Sequence, residues 1–290
     1  MAEKTLVLLD TDIGSDIDDA VALAYLLRQP RCELIGITTV IGDVQQRAAL
    51  AEIVCAAAGR KDIPIHCGRR EVLAIGPGQP LVPQYLTVAD RPHRLNREEN
   101  TAVEFLRKSI RANPGKVVLL TIGPYSNIAS LLAEDPEIPK LVKGIVSMGG
   151  VFFEPGRREW NALCDPVATS IVFKAKRPRH LSVGLDVTEK CQMHAEDVRK
   201  RFREEPLKTV AKMAEHWFQT RADITFHDPL AAAMIFHPGL CSMKNGTVDV
   251  PVTGDPNQAG ATVFTEGEGG DQVCASVSPD AFFEEYFGVF

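Results

Sequence analysis

The sequence predicts an α/β fold: a mostly parallel central sheet flanked by helices on both faces, Rossmann-like in layout. Three observations predict it. Short aliphatic or β-branched runs alternate with helix-length stretches along most of the chain. Residues 116–122 are apolar almost without interruption, as a strand covered on both faces must be. No internal repeat, low-complexity tract or linker breaks the alternation, so residues 1–290 read as one domain.

In chain order, residues 5–10 are an aliphatic strand ending at Asp10. Residues 18–28 follow as a helix with two acids in its first turn, where the helix dipole favours them. Residues 33–40, rich in Ile, Thr and Val, suit a second strand, and 44–58 a helix. A short strand at 63–67 precedes a Pro-, Gly- and Arg-rich loop over 77–96. Helix is expected at 101–112, strand at 116–122, helix at 126–133 and strand at 144–148. Asp165 and Pro166 open a helix at 166–174, since they suit its cap and first position. A strand is expected at 180–187, and helices at 195–203, 207–221 and 230–236. From Thr247 strand-like pieces are joined by Gly-rich turns, and a helix at 279–286 closes the chain.

A chain that is 45% hydrophobic and 24% charged is ordinary for a globular protein. Its net charge of -6 argues against a nucleic-acid or anionic-membrane partner. Basic residues at Arg157-Arg158 and over 177–179 read as solvated loop charges. Seven scattered cysteines without a Cys-x-x-Cys pair suit reduced, buried thiols in a cytoplasmic protein. No signal-like segment or membrane-length apolar run is expected.

Asp10, Asp12, Asp16, Asp18 and Asp19 crowd one strand–helix junction. Helix capping accounts for one or two of them, but not for Asp10 and Asp12 at the strand end. A hard divalent cation neutralises such a cluster with the ligands it prefers. An EF-hand loop counted from Asp10 fails, with Ser15 and Val21 where Gly and an acid belong. Neighbours on a helix point about 100° apart, so Asp18 and Asp19 are expected to serve different functions. Gly123 and Pro124 follow the buried strand and leave the Ile122 carbonyl free to coordinate a cation or simply to end a tight turn. Glu159 and Asn161 flank Trp160 ahead of the Asp165-Pro166 start; in an irregular segment they suit recognition of a polyol, or equally a solvated loop with Trp160 tucked into the core. Phe226-His227-Asp228-Pro229 is a helix start that also offers a metal ligand, Asp228, and a proton donor, His227. The other histidines His66, His180 and His237 read as structural or exposed.

Together these blocks resemble the inosine–uridine-preferring nucleoside hydrolase family, in the family's order, from Leu6 to about Ala233. Residues 38–43 and Leu185-Asp186-Val187-Thr188 resemble two further family blocks. The resemblance implies the nucleoside hydrolase fold and Ca²⁺-dependent cleavage of the N-glycosidic bond of ribonucleosides, releasing base and ribose. It implies a metal set of Asp10, Asp12, Asp19, Asp228 and the Ile122 carbonyl, with Asp12 also the general base. It implies ribose contacts from Asp18, Asp43, Glu159 and Asn161, a base stacked on Trp160, and His227 assisting its departure. It further implies a homodimer or homotetramer acting on a small-molecule nucleoside.

The chain departs from the family pattern in several places. Ile13 stands where the family has Pro, and two extra residues precede Asp18-Asp19. Asp43 replaces an Asn, and the segment 156–159 is short. Two other readings remain at this point: a nucleoside- or ribose-binding protein of impaired catalysis, and an Asp-x-Asp phosphatase that would use Asp10 as phosphoryl acceptor. Base choice is expected to lie in loops 73–96 and 216–226.

Overall fold

The computed structural model describes residues 3–175, 179–252 and 257–290. The basic stretch 177–179 therefore falls partly outside the described residues, as do residues 1–2. Eleven strands are described: β1 (Thr5–Thr11), β2 (Cys32–Thr39), β3 (Ile65–Cys67), β4 (Val117–Thr121), β5 (Gly144–Met148), β6 (His180–Val183), β7 (Gln192–His194), β8 (Asp223–Thr225), β9 (Cys241–Asp249), β10 (Val263–Glu266) and β11 (Asp271–Val277). The α-helices among the described residues are α1 (Asp18–Arg28), α2 (Val44–Ala57), α3 (Ala102–Ala112), α4 (Ser126–Glu134), α5 (Ile138–Leu141), α6 (Trp160–Cys164), α7 (Pro166–Lys174), α8 (Leu185–Thr188), α9 (Ala195–Arg201), α10 (Leu207–Trp217), α11 (His227–Met234) and α12 (Pro279–Phe287).

Nine strands form one sheet in the order β10-β9-β11-β6-β5-β4-β1-β2-β3. The run from β11 to β3 is parallel, and β9 pairs antiparallel with both β10 and β11. The mostly parallel sheet expected from the alternation is therefore present, with an antiparallel edge. The central strand β4 is buried along its whole length, which is why its sequence shows no polar alternation. Separate apolar clusters lie about Leu9, Leu120 and Leu181 and about Leu8, Leu119 and Ile145, so neighbouring residues of one strand feed opposite layers.

The chain runs from β1 outward to β2 and β3, then returns to the other side of β1 as β4. That reversal opens a crevice beyond the carboxyl ends of β1 and β4, where ligands of open α/β sheets bind. Asp10 pairs with Thr38 on one side and Thr121 on the other, so it lies at the floor of this crevice.

Four local expectations change. The strand expected to reach residue 187 ends at Val183, and Leu185–Thr188 coils into α8. The Asp186 carboxylate accepts from the N–H groups of Phe152 (2.9 Å) and Phe153 (2.8 Å), so a tertiary tie outweighs the strand preference of Val187 and Thr188. The segment at Trp160, expected to be irregular, is the short helix α6, started by Glu159 as its N-cap. A small antiparallel pair, β7 with β8, was not anticipated. β9 begins at Cys241, ahead of the expected tail. All seven cysteines are buried and unpaired. Among the described residues no helix is long and apolar enough to cross a membrane.

Candidate active site

The crevice holds a cavity of about 560 Å³. Asp12, Asp18 and Asp19 reach it from the β1–α1 junction, Ile122 from the end of β4, Glu159 and Asn161 from the start of α6, and His227 and Asp228 from the start of α11. Helices α1 and α11 pack together, which brings together acids more than two hundred residues apart in the chain.

The β1–α1 turn depends on two glycines. Gly14 has φ +118°, and a Cβ there would lie 2.4 Å from the Val82 side chain. A Cβ on Gly123 would lie 2.8 Å from the Asp12 nitrogen and 2.9 Å from its Oδ1, so only glycine lets the end of β4 approach Asp12. Beneath the turn lies Arg47, wholly buried. Its guanidinium donates to the carbonyl oxygens of Asp12, Ile13 (3.1 Å), Ile41 (2.7 Å) and Gln79 (2.7 Å), and to Ser15 Oγ (3.1 Å). One side chain thus ties together three loops that surround the crevice.

Oxygens of Asp18, Asp19 and Asp228 lie within 4.8 Å of one another, all three residues buried. Thr11 Oγ1 holds Asp19 Oδ1, and the Asp228 N–H donates to Asp18 Oδ2 at 3.1 Å. The angular offset along α1 was expected to part Asp18 from Asp19. Instead the bond from Asp228 draws Asp18 into the same cluster. Asp10 lies under the cavity, with Oδ1 bound by Thr38 and by Asn127 (2.8 Å), and its Oδ2 is buried without a partner.

Burial is the main force on every carboxyl here, and each is pushed above the usual carboxylate range. Asp10 rises to about 7 against the hydrogen bonds of Asn127 and Thr38. Burial raises Asp12 while the Arg47 charge opposes it. Asp16 rises to about 6, again through burial first. Asp18, Asp19 and Asp228 are raised by burial and then by repulsion from neighbouring aspartates. Carboxylates in this state are poised for a cation: hard oxygen donors already gathered, mutually repelling, with an orphaned carboxylate oxygen beneath them. The residues present therefore fit a bound hard divalent ion.

The other wall carries Glu159, Trp160 and Asn161. Glu159 accepts from the N–H groups of Asn161 (2.7 Å), Ala162 (3.0 Å) and Gly150 (3.0 Å), which fixes its carboxylate firmly. Burial nonetheless raises its pKa. Asn161 Nδ2 donates to the carbonyls of Ile122 (2.9 Å) and Met148 (3.2 Å). The Ile122 oxygen keeps a second lone pair. Trp160 is 45% exposed at the mouth, and Leu81, Trp217 and Arg221 also line the cavity. Both loops expected to govern base choice thus contribute walls. Phe226 is fully buried among Phe282, Phe283 and Tyr286 and does not line the cavity.

His227 lines the cavity, with Nδ1 2.7 Å from Thr188 Oγ1. Burial lowers its pKa to about 4, with Glu189 opposing and Arg157 adding. The ring is therefore neutral near pH 7, not the protonated donor expected from sequence. It can still offer a hydrogen bond to a departing base. Asp43, expected to contact the sugar, is not among the residues lining the cavity. It caps α2 by accepting from the N–H groups of Gln45 (3.2 Å) and Gln46 (3.1 Å), and lies 3.6 Å from Arg70. An aspartate two residues before a helical N–H has this closer use. Sequence reasoning missed Arg47; its one signal is a cation on the buried face of α2, beside Ala48 and Ala51. Asn127, in the first turn of α4, holds Asp10 from its Nδ2.

If Asp228 belongs to a cation site, Asp228→Ala should weaken Ca²⁺ or Tb³⁺ binding by at least about a hundredfold. Calorimetry on the folded variant tests this, and an unchanged affinity would remove Asp228 from the ligand set.

The comparisons with known proteins bear on the family and the fold. Residues 7–284 match the family model described as inosine-uridine preferring nucleoside hydrolase. A probable uridine nucleosidase 2 from Oryza sativa is 31% identical over 270 residues, covering 86% of this chain and 79% of the relative. The pyrimidine-specific ribonucleoside hydrolase RihA of Citrobacter koseri is 32% identical over 286 residues, covering 89% and 87%. The solved structure of a plant nucleoside hydrolase superposes with a TM-score of 0.83 at 23% identity, covering 98% of both chains, which supports the fold. With the family model spanning nearly the whole sequence, the chain belongs to the inosine-uridine preferring nucleoside hydrolase family.

Proposed function

We propose that this chain is a Ca²⁺-dependent ribonucleoside hydrolase acting on pyrimidine nucleosides, with uridine the first substrate to test. The observation that carries it is the convergence of Asp18, Asp19 and Asp228 in one cavity with Asp12, Glu159, Asn161 and the Ile122 carbonyl. The pyrimidine preference rests on relatives named as a uridine nucleosidase and a pyrimidine-specific hydrolase.

In this reading Asp12, Asp19, Asp228 and the Ile122 carbonyl hold the ion, with Asp10 supporting them from below. Ca²⁺ held there would supply a Lewis acid that makes a water more acidic. Asp12 takes the proton of the attacking water. Asp18, Glu159 and Asn161 bind ribose hydroxyls and fix the anomeric carbon in reach, so that orientation carries part of the acceleration. As the C–N bond breaks, positive charge develops on the sugar, and the surrounding carboxylates stabilise it. Trp160 covers the base, and neutral His227 donates a hydrogen bond to it as it leaves. The base departs with the bonding electron pair and takes up a proton at that nitrogen, equal to the one Asp12 removed from water and then releases, and the water oxygen becomes the anomeric hydroxyl.

A panel of purine and pyrimidine nucleosides, incubated with calcium and with a chelator, tests this. Uridine is expected to release uracil quickly, purine nucleosides at least about tenfold more slowly, and chelation to stop both. Binding of nucleosides without release of base would support the non-catalytic reading instead. Cleavage of phosphate monoesters would support the phosphatase.

A further inference from the structure

A second cavity, of about 820 Å³, opens between α2, β3 and the segment 91–97, away from the acidic crevice. Five cationic side chains line it: Arg60, Lys61, Arg91, Arg94 and Arg97. Glu52 is the carboxylate on its wall, and it bridges the Arg97 Nη2 and the Arg94 N–H, each at 2.7 Å. Asp62 pairs with Arg60 through two bonds of 2.8 Å. Two carboxylates against five cations leave a local positive surplus in a chain whose net charge is -6. The floor, by contrast, is apolar, with Ile53, Cys55, Ile63 and Ile65.

Guanidinium forks match phosphate oxygens, and their remaining donors are not exhausted by these pairs. An apolar floor under a cationic rim suits a ligand with a carbon skeleton and a dianionic head. We propose that this groove binds a small organic phosphate monoester, at a site separate from the reaction cavity.

The same chain segment joins the two cavities. Gln79, Leu81 and Pro83 line the acidic crevice, and Arg91, Arg94 and Arg97 line the basic one. The segment between is pinned to the β1–α1 turn: Ser15 Oγ donates to the Leu81 carbonyl (2.9 Å), and Gln84 donates to Gly14 and Ser15 carbonyls. Arg91 Nη1 donates to Thr209 Oγ1 (2.9 Å) on α10, whose last residue, Trp217, lines the crevice. An anion drawing Arg91, Arg94 and Arg97 together restrains this segment and so steadies the rim of the crevice. Occupancy should lower the nucleoside KM by about fivefold, a modest coupling between sites. The binding claim stands independently of the reaction assigned above, and only this kinetic effect rests on it.

Calorimetry of the full chain with ribose 5-phosphate at constant ionic strength tests the proposal. The control is the double variant Lys61→Glu/Arg94→Glu, both positions exposed, with Lys61→Gln/Arg94→Gln as the milder form. Ribose 5-phosphate should bind the parent, and bind either variant at least about tenfold more weakly, while basal turnover without phosphate is unchanged. Unlabelled ribose, which lacks the dianionic head, should not displace it. Equal affinity in parent and variants, or full displacement by ribose, would overturn the separate site. Inorganic phosphate binding as tightly as the ester would overturn the role of the apolar floor. Loss of nucleoside hydrolysis with ester binding intact would count against the reaction assigned above and leave this site standing.

Discussion

Asp12→Ala should lose nearly all base release from uridine while the chain stays folded. Asp12 is 5% exposed and lines the cavity, and its backbone is held from outside the side chain, by Arg47 on its carbonyl. Removing the carboxylate leaves that anchor in place. A positioned general base contributes about 10² to 10⁴ in rate, and Asp12 is also assigned to the ion, so the loss should be at the upper end or beyond. Asp12→Asn keeps the shape and one oxygen but cannot take a proton. It should be nearly as inactive, with calcium bound more weakly than by the parent. Steady-state uracil release with circular dichroism on each variant decides the matter. Turnover close to the parent in Asp12→Asn would rule out the proton-accepting role.

Arg47→Met should cost stability as well as activity. The substitution keeps most of the stem volume but leaves the carbonyls of Asp12, Ile13, Ile41 and Gln79 facing an apolar group. It also removes the charge that opposes the rise in the Asp12 pKa. Leaving a buried acceptor without its donor costs about 1–3 kcal/mol. Arg47→Lys restores charge but not the planar fork, so it should recover part of the stability and little of the loop geometry. Urea unfolding of the three proteins measures this. A midpoint for Arg47→Met equal to that of the parent would show that the three loops hold without the guanidinium.

The strand–helix alternation was legible because burial on both sheet faces writes itself as apolar runs, and β4 and β5 read almost residue for residue. The acidic site was legible for the opposite reason: five aspartates in ten residues have no ordinary structural use. What escaped depends on partners far along the chain. Val187 and Thr188 look like strand, and only the bonds from Phe152 and Phe153 to Asp186 show why they coil. Asp43 matches a family position in sequence, yet the nearest unpaired N–H groups, those of Gln45 and Gln46, claim it. Burial of His227 moves its titration away from the value its residue type suggests. Nothing local to Arg47 announces that it points under a loop thirty-five residues earlier.

The acids of the crevice come from opposite ends of the polypeptide: Asp18 and Asp19 open α1, whereas Asp228 opens α11. A cation site drawing on both segments is incomplete until these remote regions have met, and contacts so distant in the chain carry a high closure cost before they are rewarded. Calcium should accordingly leave the refolding rate nearly untouched and instead lengthen the lifetime of the native form, appearing in the unfolding arm of a chevron.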